Sequence, residues 1–145
     1  MRFGRIPGMA TRADNTTRFL NVDLDICAKF DLQPLVDAFG LKVIVLYVGR
    51  ERGLYSAHLE LNVQSKTADA VIRGFTVLIR GLPPAKRKLW HAATTRDFNI
   101  GVQSAAKDKP YEIKLSAPTI QSVSSLKARV VVTVYAPDLL TSGKP

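Results

Sequence analysis

The segment from Phe19 to Cys27 alternates without a break, with Leu20, Val22, Leu24 and Ile26 on one side and Asn21, Asp23, Asp25 and Cys27 on the other. An extended strand, whose successive side chains point to opposite faces, turns that order into one buried and one wetted face. The rest of the chain must then supply a sheet for this strand to join and a cover for its apolar side.

Asp31 stands as an N-cap before Leu32, Leu35, Val36 and Phe39, whose i, i+3, i+4, i+7 spacing predicts a short amphipathic helix with Pro34 in its first turn and Gly40 at its stop. Leu41 to Val48 is a β-branched apolar run, and Leu54 to Val63 alternates Tyr55, Ala57, Leu59, Leu61 and Val63 against Ser56, His58, Glu60 and Asn62. The polar, glycine-bounded stretch Gly49 to Gly53 joins the two runs as a hairpin. Thr67 caps a longer helix with Asp69 in its first turn and a stripe of Val71, Ile72, Phe75, Leu78, Ile79 and Leu82. Gly81 and Pro83-Pro84 end it, and a further helix is expected from Pro84 to Ala93, with Leu89 and Trp90 turned inward.

Phe98, Ile100 and Val102 alternate as a fourth strand, and Tyr111, Ile113 and Leu115, after the turn Lys107 to Pro110, are expected to extend that strand system. Ser116 and Pro118 open a short helix with Ile120, Val123 and Leu126 on its face, and Arg129 to Ala136 closes the series as a strand. The order β-α-β-β-α(α)-β-(β)-α-β predicts an α+β domain over residues 17–136. Its core is a ferredoxin-like split βαβ sheet with helices mainly on one face and an additional C-terminal helix and strand. Residues 1–16 read as a basic N-terminal tail and 137–145 as a C-terminal tail. The pair Met9-Ala10 leaves open whether translation starts at Met1 or Met9.

The opening strand Phe19 to Ile26, the segment Leu35 to Gly40, and the closing blocks Leu115 to Pro118, Leu126 to Ala128 and Val130 to Tyr135 together resemble a widespread uncharacterised family of small bacterial α+β proteins. Some members of that family are candidate immunity proteins of toxin systems. The resemblance carries no functional residue across.

With 145 residues, 46% hydrophobic and 23% charged, the chain has globular composition and enough length to bury one core without disulfides. No apolar run approaches the roughly 18 residues of a membrane span, and the first residues hold no hydrophobic stretch of a secretory signal. Cys27 is the sole cysteine, which fits a reducing compartment, and the expected location is cytoplasmic. A net charge of +9 favours polyanions or an acidic partner, although Arg2, Arg5, Arg12 and Arg18 fall in or beside the N-terminal tail.

In the expected sheet the first and third strands are neighbours, so Asn21, Asp23, Asp25, Ser56, His58, Glu60 and Asn62 gather on the helix-free face. Asp23 and Asp25, two apart on one strand face, with His58 and Glu60 beside them, are the best-placed groups for sharing a proton or holding a cation. Period-two alternation asks for polar residues there in any case. Lys86, Arg87 and Lys88, with Arg96 nearby, form the densest basic run and read either as a solvated surface or as a polyanion contact.

His58 and His91 lack partners at metal-ligand spacing, so no metal site is expected, and no cofactor-binding motif is present. Cys27 has no sequence-defined catalytic setting. Arg52 to Leu59 begins like the RNA-recognition strand motif, but Leu54 and Ser56 stand where stacking aromatics are needed.

The sequence therefore points to a non-enzymatic macromolecule-binding or regulatory module, an immunity-type inhibitor in its most concrete form, with a protein partner and no membrane. The alternative is a nucleic-acid-binding protein using its basic residues. A small hydrolase built on Asp23, Asp25 and His58 stands third.

Overall fold

A computed structural model describes residues 16–106 and 109–137 of the chain. Apart from Thr16 and Pro137, both expected tails lie outside those residues, as do Lys107 and Asp108. Over the described residues the protein is α+β, with four α-helices and a five-stranded mixed sheet. The elements run β1 (Arg18–Ala28), α1 (Gln33–Phe39), a 3-10 turn (Gly40–Lys42), β2 (Val43–Glu51), β3 (Leu54–Leu61), α2 (Ala68–Arg80), α3 (Pro84–Ala92), β4 (Thr95–Gln103), α4 (Ala117–Ser125) and β5 (Arg129–Tyr135).

The sheet order is β2-β3-β1-β4-β5, with β1 at its centre. Antiparallel ladders join β2 to β3, β3 to β1 and β1 to β4, whereas β5 runs parallel to β4. Cross-strand partners share a face, so Leu24 aligns with Leu59 and Phe98, and Ile26 with Ala57, on one side of the sheet. These residues join Leu35, Val36, Phe39, Val71, Ile72, Phe75, Ile79, Trp90, Val123 and Leu126 from the four helices in one buried core. The helices thus cover one face, and no described helix covers the other.

Two bulges set the phase of the strands. Register shifts between Phe19 and Asn21 opposite β4, so Leu20 is the extra residue and Phe19 packs on the core in its place. A second shift between Val45 and Tyr47 sets Leu46 aside and turns Tyr47 toward His58 on the helix-free face. The hairpin is tighter than the sequence suggests: the ladder reaches Glu51 and Leu54, and Arg52 (φ 53°) and Gly53 (φ 83°) alone make the turn. Two successive positive φ values match the right-handed twist of the flanking strands.

Helix α1 begins two residues after Asp31, with Leu32 in the cap position, yet Asp31 Oδ1 still accepts the Gln33 amide at 2.9 Å. Thr67 caps α2 as expected, its side chain accepting the Ala70 amide at 3.1 Å, and Ser116 caps α4 through the Thr119 amide at 3.3 Å. Gly74 lets α2 approach β3 closely, since a Cβ there would sit 2.6 Å from Leu61 Cδ2. One expectation fails. Tyr111, Ile113 and Leu115 do not add to the sheet; residues 109–116 join no ladder, and Ile113 and Leu115 pack against the core. Their alternation comes from one side facing apolar atoms rather than from strand pairing.

Candidate functional site: the helix-free sheet face

On the uncovered face the register brings Asp23 beside Glu60 and Asn99, Asp25 beside His58 and Asp97, and Cys27 beside Ser56 and Thr95. Of the residues the sequence assigned to this face, Asp23, Asp25, Ser56, His58 and Glu60 are contiguous. Asn21 lies opposite Gly101, next to the Leu20 bulge. Asn62 falls just past β3 and donates its side-chain amide to the Leu41 carbonyl at 2.8 Å, tying the hairpin base to the turn before β2.

A polar chain crosses four strands. The Thr133 hydroxyl donates to Asn99 Oδ1 at 2.8 Å, Asn99 Nδ2 donates to Asp25 Oδ2 at 3.4 Å, and His58 Nδ1 meets Asp25 Oδ1 at 2.8 Å. The carboxylate accepts, so His58 carries a proton on Nδ1. Its other nitrogen faces Glu51 Oε1 at 3.8 Å, and the Tyr47 ring tilts against it with centroids 5.9 Å apart. Each link fixes the next side chain's rotamer, so the face is a pre-ordered surface.

Beside this chain Arg129 clasps Asp97 through both oxygens, at 2.7 and 2.8 Å. That hydrogen-bonded contact, helped by the Asp97 charge, raises the Arg129 guanidinium above its usual pKa. Asp23 is buried, whereas Asp25 and His58 keep 16% and 19% of their side-chain surface open. Cys27 Sγ lies 3.6 Å from Ser56 Oγ. The imidazole sits between two carboxylates and the thiol beside a hydroxyl, which is the geometry of a polar surface network. Among the described residues no group of three metal-ligating side chains is assembled.

The chain matches no family model, no curated protein and no solved structure. What can be said of the site therefore comes from its own geometry. Asp97, Asn99, Thr133 and Arg129 belong to it and were missed in the sequence. The alternation of Asp97 and Asn99 with Phe98 and Ile100 marks their face, but nothing local says that β4 lies beside β1 or that β5 lies beyond it.

The basic run does not form a single patch. Lys86 lines a shallow groove between α1 and α3 with Asp31 and Asp37. Arg87 turns the other way and donates to the Arg80 carbonyl at 2.9 Å, while Lys88 is exposed. Successive helix positions diverge by about 100°, which fans the three charges apart. Arg96 faces inward, donating to the carbonyls of Trp90 (3.0 Å), Ala93 (2.7 Å) and Lys127 (3.0 Å). Among the described residues no helix is long and apolar enough to cross a membrane.

Proposed function

We propose that this chain is a non-enzymatic binding module, an immunity-type inhibitor, whose helix-free sheet face docks on a cationic surface of a protein partner. The observation that carries the reading is the placing of Asp25, ordered by His58 and Asn99, and Glu60 on adjacent strands of a face no described helix covers. Carboxylates held in place by neighbouring hydrogen bonds accept charge-assisted bonds from arginine or lysine with little further ordering cost. An acidic face on a chain of net charge +9 also steers such a partner to one side of the molecule.

The order β4-β1-β3-β2, antiparallel at every step, supports reading the first four strands with α1 and α2 as a ferredoxin-like split βαβ unit. In that reading α4 and β5 are the C-terminal addition. The net charge favours a second reading, nucleic-acid binding through Lys86, Arg87 and Lys88. Hydrolysis by Asp23, Asp25 and His58 has the 2.8 Å Asp25–His58 contact in its favour.

Capture from native lysate separates the first two readings when it is mapped to faces. The wild-type chain, the Asp25→Asn/Glu60→Gln variant and the Lys86→Glu/Lys88→Glu variant serve as baits with nuclease present, each checked for a native melting curve. The expected result is a protein held by the wild type and by the basic-run variant, lost from the acidic-face variant, and released by salt. A partner that nuclease removes, or one the acidic-face variant still holds, overturns the proposal.

A further inference from the structure

The two edges of the sheet are built differently. Edge β2 is interrupted by the bulge at Leu46 and carries Arg50 and Glu51, both devices that keep a free edge from pairing with another chain. Edge β5 has neither device. Its seven residues, Arg129–Tyr135, contain no bulge, no proline and a single charge, which lies at the first position and is already bound to Asp97. Val130, Val132 and Val134 are 38%, 56% and 60% exposed on the helix side of this edge. There they border an apolar groove of about 380 Å³ with Ile100, Val102 and Ile113.

We propose that β5 pairs antiparallel with β5 of a second copy of this chain about a two-fold axis through Val132, joining two five-stranded sheets into one. The strand is self-complementary in that register: Val130 opposes the partner's Val134, Val132 opposes its own counterpart, and Val131 opposes Thr133. All three valines stay on the helix side, so the two apolar grooves become continuous across the axis. Arg129 meets an aromatic, Tyr135, instead of a second arginine. The only charge on the strand is therefore never set against its like, which a chain of +9 needs if two copies are to meet. The pairing leaves Asp25, His58 and Glu60 untouched, so it stands or falls separately from the partner-docking face.

Sedimentation equilibrium from about 1 to about 300 µM tests the proposal, because an association through one edge is concentration-dependent. The wild type should move toward twice its 15.9 kDa mass. V132K and V132E should each stay monomeric with native melting curves, since either one sets like charges directly opposite across the axis. Mixing V132K with V132E should restore a dimer, which also shows that each variant folds. Val132→Thr keeps the branched shape and should weaken association roughly tenfold without changing the melting temperature. A wild type that stays monomeric over the whole range overturns the inference. So does a V132K chain that still dimerises, and so does a mixture that remains monomeric.

Discussion

Arg96 reaches backbone carbonyls from two helix ends. Its Nη1 satisfies Trp90 and Ala93 at the end of α3, with His91 at 3.4 Å, and its Nε satisfies Lys127 just after α4. Ala93 and Lys127 lie just past the helix ends, where carbonyls lose their intrahelical partners, and a cation there also complements the helix dipole. Burial, the larger influence, lowers the Arg96 pKa and the Asp97 charge raises it, but a guanidinium stays protonated throughout. Trp90 reinforces the same corner by donating its indole N–H to the Leu126 carbonyl at 3.0 Å. Arg96→Ala should therefore cost about 2–3 kcal/mol in urea unfolding, and Arg96→Lys should recover less than half of that, because an ammonium cannot span the fork. A loss below about 0.5 kcal/mol would show that water replaces the guanidinium. In the sequence Arg96 reads as one more member of a basic run. A positive charge bound to carbonyls and one offered to a partner are the same letter, and only the fold distinguishes them.

At the scale of elements, Asp69 ties the start of α2 to the start of α4. Its Oδ1 accepts the Ser116 amide at 2.8 Å and its Oδ2 pairs with Arg73 at 3.1 Å. Desolvation, the largest single influence, pushes this carboxyl up. The Ser116 and Thr119 hydrogen bonds and the Arg73 charge together outweigh it, leaving the pKa below its ordinary value. A depressed carboxyl pKa means that the unfolded chain binds the proton more readily. The stabilisation is thus complete above the unfolded pKa near ~3.9 and is lost as pH falls through the lower folded pKa. The stability gap between wild type and Asp69→Asn, read from urea melts, should be constant from pH 7 to about pH 5 and shrink toward pH 3. A gap independent of pH would remove the carboxylate from the junction. The elements this junction joins were legible, because Thr67 and Ser116 are capping residues at the head of clear apolar stripes. The bulges at Leu20 and Leu46 were not: Val43 to Val48 is apolar throughout and carries no phase to read. Residues 109–116 misled for the opposite reason, since packing one side on a core imprints the same period as a strand ladder.

For the whole molecule, the expected pairing of β1 with β3 is present; what the sequence could not carry was where β5 lies and which side chains link across the strands. The polar side of β1 was plain from Asp23 and Asp25, but the network across it depends on Asn99 reaching diagonally to Asp25 and on Thr133 from a strand more than a hundred residues away in sequence from β1. That placement also divides the sheet by stability. β1 is hydrogen-bonded on both sides, and its Val22, Leu24 and Ile26 are fully buried in the core, with α2 packed on the strand. Freeing its amides breaks two ladders and the core together, which amounts to global unfolding. β5 is held along one edge only and keeps half-exposed valines, so it can open while β1 to β4 stay paired. Native-state hydrogen exchange on a dilute, monomeric sample should therefore give the β1 amides the full unfolding free energy. The β5 amides should exchange through local opening at a lower free energy and with weaker dependence on denaturant, because little surface is exposed when an edge strand detaches. Equal free energies and equal denaturant slopes for β1 and β5 would mean that the five strands open as one unit, and that β5 contributes to the core as fully as the central strand.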